Sequence, residues 1–332
     1  MTKKQVAGIA AAAILFVVSG YTTKVIQDNL QENIGDFWNI EDKIYSLNDE
    51  IKDYPEQDFV GVINISGTIQ DTGSSDLFTT VEYDHQGILD FVDDMMNNNS
   101  NTGLFLNIDS PGGYTYEIVE LYDKLMEYKK TTKRPIYAYC NSYCCSGGYY
   151  LAATADEIYA NQESVVGSIG CIMTNYDCSE LYSKLGIKEI NITSGKNKAM
   201  GSTGTPMTDE QKAIYQSIVD EAYENFVEAV SKGRNMDKED VYAVSDGRIY
   251  TSSQAEEAGL IDGISTFDKF NEYMSDKFDD AQYYTFGQDQ QNIYSMLLGK
   301  IENMLPKSDT QANLELLNEY KNGGLMYYAD LK

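Results

Sequence analysis

The chain has 332 residues, room for one large catalytic domain with appendages or for two small domains, and its 42% hydrophobic and 23% charged content is that of a globular protein. Its charge is unusual: 52 acidic residues against 25 basic ones leave a formal net charge of -27 and a pI near 4.2. Phosphate binding needs clustered lysine and arginine, so no nucleic-acid partner is expected, and attachment to a membrane has to come from apolar burial rather than from attraction to anionic lipid.

In chain order, an apolar segment comes first. Between Lys4 and Lys24 lie 19 uncharged residues, slightly under the ~20 that cross a bilayer comfortably. Residues 1–24 are therefore predicted to be a short cytoplasmic tip and a transmembrane anchor. Lys3 and Lys4 before the run, with Asp28, Glu32 and Asp36 after it, place the N-terminus in the cytoplasm and the catalytic domain on the extracytoplasmic side of the cell membrane. A cleaved signal peptide is the competing reading, with Gly20 as the small residue at the cut and Val18 a poor partner for it. Residues 25–57 read as a helical stalk, because Ile40, Ile44, Leu47 and Ile51 recur at spacings of four and three. That helix either packs on the domain or associates with itself.

From Phe59 the pattern becomes that of an α/β domain spanning 58–270. FVGVINISGTI reads as a buried strand, Ile88, Phe91, Val92, Met95 and Met96 as a helical stripe, and GLFLNI at 103–108 as a second strand. A helix near 115–130, a strand at Ile136 to Tyr139, a helix beginning near Ser146 and short strands near 156–160 and 168–173 continue the alternation. Strands alternating with helices imply a mostly parallel sheet, with functional groups gathered at strand-to-helix loops. Thr208 with Gln211 forms a capping-box pattern opening a long helix that Gly233 should end. Residues 271–332 read as a helical extension and tail, with helices near 290–305 and 312–320. Gly323 and Gly324 then precede an apolar cluster, Leu325, Met326, Tyr327 and Tyr328, which either packs on the surface or reaches into a groove.

The chemistry is constrained by one scarcity. His85 is the single histidine and stands near a helix start, far in sequence from any candidate nucleophile, so neither a Ser-His-Asp triad nor a Cys-His pair is expected. All five cysteines fall between Cys140 and Cys178 without zinc-like spacing, and read as buried free thiols. No metal, nucleotide or other cofactor is expected. Lysine is left as the natural base for a side-chain nucleophile, and three glycine-bearing segments suit such an enzyme. IDSPGG at 108–113 leaves a strand, with two glycines that let backbone amides approach a ligand. CCSGGYYLAA sets Ser146 at a helix N-terminus, where unpaired amides favour a developing oxyanion. SGKNKAMGS at 194–202 carries Lys196 and Lys198 in a glycine-flanked loop.

Together, in this order, and with VVGSIG at 165–170 and SDGRIYTSSQAEEAGLID at 245–262, these segments resemble the SppA family of signal peptide peptidases from about Phe59 to Asp262. The resemblance implies a crotonase-like fold related to that of the Clp peptidase, and a Ser-Lys dyad. By position it makes Ser146 the nucleophile and Lys198 the general base, the amides of Gly113 and Gly147 the oxyanion hole, and Ser168 the residue that orients the base. Lys196 stays open as an alternative base. The loop departs from the family at Ala199, where an acidic residue is usual, and lacks the usual Pro and Arg beyond Ser202. No internal repeat is present, so the single-copy form is implied, in which homo-oligomeric rings draw Ser and Lys from neighbouring subunits. Implied substrates are remnant signal peptides and other apolar peptides at the membrane, with Tyr143, Tyr149 and Tyr150 either lining pockets or packing in the core. A solvated lysine, pKa ~10.4, holds its proton at neutral pH, so the base is expected to be desolvated. Two other readings use the same glycine turn: a non-catalytic membrane scaffold on a crotonase-like fold, which has no use for Ser146 with Lys198, and an acyl-CoA enzyme, which conflicts with an exported domain.

Overall fold

The structure, a computed structural model, describes residues 54–71 and 83–287. The predicted anchor at 1–24, nearly all of the stalk, the helices near 290–305 and 312–320 and the cluster at Leu325 to Tyr328 lie outside the described residues. Among the described residues no helix is long and apolar enough to cross a membrane.

The element order is β1 (Phe59–Ile69), α1 (His85–Asn97), β2 (Asn101–Gly113), α2 (Thr115–Thr132), β3 (Ile136–Cys145), α3 (Gly147–Ala152), β4 (Glu157–Ala160), β5 (Val165–Gly167), α4 (Ser179–Lys184), α5 (Asp209–Arg234), α6 (Lys238–Val244), β6 (Ile249–Thr251), α7 (Ser252–Glu257), β7 (Gly263–Ile264), α8 (Phe267–Lys277) and β8 (Gln282–Thr285). One mixed sheet of eight strands runs β6-β5-β3-β2-β1-β8, with β4 beside β3 and β7 beside β4. Every pairing is parallel except that of β5 with β6.

Helices cover both faces, which is why β1 opens on five consecutive buried residues rather than on an alternating pattern. On one side α1 and α2 pack together, and Gly61 of β1 faces Met95 of α1 closely enough that a side chain would press on its sulfur. On the other, Phe270 and Met274 of α8 close over Val60, Val62, Phe105, Tyr137 and Tyr139. Asp84 caps α1 by accepting the Gly87 amide at 3.0 Å, and the expected capping box of α5 is present at Thr208 and Gln211.

Two expectations need correction. Residues 168–173 form no strand; the strand is Val165–Gly167, ended by Gly167 and Ser168, both at positive φ. Gly233 does not end α5, which runs on to Arg234 and is capped by Asn235 in the left-handed region. Gly233 is needed for contact instead: a Cβ there would lie 1.8 Å from the Ala153 carbonyl, so its bareness seats α5 against the end of α3.

Candidate active site

Ser146 occupies the corner between β3 and α3, at the end of the sheet where the parallel strands deliver their loops. Its backbone sits at φ 50 and ψ -121, a conformation that costs a non-glycine residue about 1–3 kcal/mol and persists only where the surroundings enforce it. They do so from three sides. The Ser146 amide donates to the Gly167 carbonyl at 2.7 Å, tying the corner to β5. Its carbonyl accepts from the Tyr150 amide at 2.9 Å, starting α3. The SPGG turn closes the third side: a Cβ on Gly112 would stand 2.8 Å from the Ser146 Cβ and from the Gly147 amide nitrogen, and 3.1 Å from the Ser146 hydroxyl.

The Ser146 amide being committed to Gly167, an oxyanion beside the hydroxyl has to be held by other donors. The Gly147 amide, in the first turn of α3, has no acceptor within its own helix and is available. Gly113 lies one residue beyond Gly112, paired with Ile69 of β1, whose carbonyl accepts from the Tyr114 amide at 2.9 Å. Gly112, which the sequence did not single out, is the member of the pair on which an added Cβ would strike the Ser146 side chain; its φ of +108 is the sign of a turn made for close approach. Ser110, fully buried, holds that turn: its hydroxyl donates to the Gly67 carbonyl at 2.6 Å and accepts the Gly112 amide at 3.1 Å.

Ser168 follows Gly167 at φ 49, its amide donating to the Arg248 carbonyl at 2.8 Å, so the VVGSIG and SDGRIY segments are clamped together behind the corner. Among the described residues, no hydrogen bond joins the Ser168 hydroxyl to Lys198. Lys198 itself is exposed, in the turns between Gly195 and Gly201. No hydrogen bond or ion pair links it to Ser146 among the described residues. Lys196 is turned to a carboxylate, its Nζ lying 2.6 Å from Glu210. Both lysines belong to a stretch, residues 171–207, in which no residue is buried and where Ile172, Tyr176, Ile190 and Ile192 stand at least 73% exposed.

The other candidates fall into the core. Tyr149 and Tyr150 are buried, the first donating to the Leu260 carbonyl at 2.7 Å, whereas Tyr143 is half exposed beside the corner. Cys140, Cys144 and Cys145 are buried free thiols, and Cys171 and Cys178 are free and partly exposed. Burial pushes the Cys145 thiol up to about 11, and raises that of Cys144 well above its ordinary value. Neither sulfur beside Ser146 is thus an activated thiolate. His85 is buried rather than merely polar at a helix start, its ring nitrogens lying 3.0 Å from the Tyr83 hydroxyl and 2.9 Å from Glu120.

A serine on an enforced corner between a parallel strand and a short helix, backed by a glycine turn from the next strand, defines an α/β protein with the layout of a serine hydrolase. Similarity to known proteins narrows the class. Residues 128–279 match the model of peptidase family S49. It is 39% identical over 202 residues to the "Putative signal peptide peptidase SppA" of Enterococcus faecium, covering 61% of this chain and 58% of that protein. Over 190 residues it is 34% identical to a protein of Methanocaldococcus jannaschii named as a protease, covering 57% of this chain and 60% of the relative. Protease 4 of Haemophilus influenzae is 28% identical over 229 residues, 69% of this chain and 36% of that protein. The first two matches thus span about three-fifths of the relatives' length.

Proposed function

We propose that the chain is a serine endopeptidase, anchored to the membrane by its N-terminal segment, that degrades remnant signal peptides and other apolar peptides with a Ser146–Lys198 dyad. The observation that carries this reading is the Ser146 corner, strained, held by Gly167 and opened by Gly112 to a substrate carbonyl. In the proposed reaction the Ser146 hydroxyl passes its proton to the neutral Lys198 amine while its oxygen bonds to the peptide carbonyl carbon. The amides of Gly113 and Gly147 hold the oxyanion. As the intermediate collapses the C–N bond breaks, the leaving nitrogen takes the proton from Lys198, and water then hydrolyses the ester on Ser146.

The exposure of Lys198 supports a further step in the same reading. A base lysine has to be desolvated, and a single copy leaves this one in water among exposed apolar side chains. Contact with a second copy in a homo-oligomeric ring would cover that stretch and bring Lys198 of one chain to Ser146 and Ser168 of the next. Subunit mixing tests both parts. Ser146→Ala and Lys198→Ala are each expected to abolish hydrolysis of an apolar peptide and to leave the fold intact, while Lys196→Ala retains most of the activity. Dissociating and reassembling the two dead variants together is expected to restore activity, because some junctions then join an intact serine to an intact lysine. Hydrolysis by Ser146→Ala alone refutes the nucleophile; mixed oligomers that stay dead refute pairing across copies.

A further inference from the structure

The strand that delivers Ser146 is not continuous in its pairing. On the β2 side, Ile108 faces Cys140 and Ser110 faces Cys144, so β3 spends four residues where β2 spends two. On the other side, β3 pairs with β4 as far as Cys140↔Ala160 and then with β5 from Tyr143↔Val165. At Asn141 and Ser142 the strand therefore bulges and changes partner, shortly before the serine corner. A bulge adds twist and re-aims the residues beyond it. Ser146 is among the residues so aimed.

Ser164 sits at that junction. Only 2% exposed, it immediately precedes β5, and its hydroxyl donates to the Cys140 carbonyl at 2.9 Å and to the Asn141 carbonyl, the last paired and the first bulged residue of β3. Its amide donates to the Asn161 carbonyl at 3.1 Å, closing the turn that leads from β4 to β5. Ser252, fully buried at the start of α7, reaches the carbonyls of Asn161 at 2.5 Å and Ser164 at 3.3 Å from below. Across the bulge, Asp109 accepts the Tyr143 amide at 3.0 Å, so the displaced segment is gripped from both neighbouring strands.

We propose that Ser164 is a positioning residue for the nucleophile: its hydroxyl holds the β3 bulge in the one register that puts the Ser146 amide on Gly167 and the Ser146 hydroxyl against Gly112. The inference rests on the reading of Ser146 as nucleophile. The Cys140 carbonyl keeps the Asn161 amide at 3.0 Å, but an alanine at 164 takes the buried hydroxyl from the bulged Asn141 carbonyl, and the bulge can relax toward continuous pairing, moving the corner without unravelling the sheet.

The test uses the full chain and a fluorophosphonate probe, with the labelled residue located by peptide mass. Wild type is expected to label at Ser146. Ser164→Ala is expected to label and to turn over about 100-fold more slowly with KM changed by less than about 3-fold, the signature of a misplaced reacting atom rather than of lost binding. Ser164→Thr, which keeps the hydroxyl, is expected to recover most of that loss. Tyr128→Phe is the control for stability alone, since it removes a buried hydroxyl bonded to Asn101 at 2.6 Å near the opposite end of the sheet; it should lower the melting temperature and leave turnover unchanged. Ser164→Ala at the wild-type rate overturns the proposal, as does a Ser164→Thr chain as slow as Ser164→Ala. A wild type that reacts at another residue overturns the assignment of Ser146 itself, an outcome distinct from either.

Discussion

At Gly112 the space for a side chain is closed twice, by the Ser146 side chain and Gly147 amide nitrogen it would strike and by a φ of +108 that L residues rarely adopt. Gly112→Ala is expected to push the SPGG turn and the Ser146 corner apart. Fluorophosphonate labelling of Ser146 should be lost, with a fall in stability of about 1–3 kcal/mol by denaturant melting, the usual cost of backbone strain at such a site. A Gly112→Ala chain that labels like wild type would show that the turn does not bear on the nucleophile. The helix start at Ser146 was legible in the sequence because SGG before an apolar run is a local pattern, whereas its reading as a nucleophile came only from the combination of SPGG, SGG and the lysine loop. Ser164 and the special role of Gly112 were not legible, since each acts through a partner on another strand and neither residue type announces that partner.

Among the elements, α5 is tied to the sheet by one ion pair. Arg234, 7% exposed, makes two hydrogen bonds of 2.8 Å to Asp262, whose carboxylate also accepts the Ile158 amide of β4 at 2.7 Å. Burial pushes the Asp262 carboxyl up, but the hydrogen bonds and charge of Arg234 and the Ile158 amide outweigh it and hold the group below its ordinary value. Such a depressed carboxyl stabilises the fold fully above the unfolded pKa of ~3.9, and the contribution fades as pH falls through the lower folded value. Asp262→Asn is therefore expected to lose about 1–3 kcal/mol near neutrality, discounted because Asp262 is a third exposed, and to show a shallower fall in melting temperature below about pH 4 than wild type. Parallel acid limbs in the two chains would refute the pairing. Elements of this kind were read well where the apolar pattern runs unbroken: β1 and α2 fall where an apolar run and helical spacing put them. They were misread at 168–173 and at Gly233, where an apolar run and a glycine serve tertiary contacts that short-range patterning does not encode.

Over the whole molecule the charge is uneven. Residues 171–207 hold four lysines against three carboxylates, while the full chain carries 52 acidic and 25 basic residues. The stretch that exposes Ile172, Ile190 and Ile192 thus carries a slight positive excess in a strongly acidic protein, a surface suited to meet an acidic one. Ile190→Asp combined with Ile192→Asp is expected to convert assemblies into a smaller species in sedimentation and to abolish hydrolysis, while circular dichroism and melting temperature stay near wild type. Full activity in a monomeric double variant would remove any need for a second copy. The sequence reading calls for a desolvated base lysine. In the proposed ring that desolvation would come from an assembled surface, which no pattern along one chain writes down.

The sheet closes late. β1, the first described strand, pairs with β8, the last, through Phe59↔Gln282 to Val62↔Thr285, across nearly the whole described chain. Parallel neighbours cannot be joined by hairpins, so each pairing waits for a crossover, and the entropy of closing the longest loop is met only at the end. Folding should be slow for that reason, as it is in topologies dominated by distant pairings. Until Gln282 to Thr285 arrive, the buried strand β1 stands at the edge with its amides and carbonyls from Phe59 to Val62 open on that side, and an open edge is a template for any other strand nearby. This last described strand is short and buries little area, yet it is what covers the β1 edge from Phe59 to Val62.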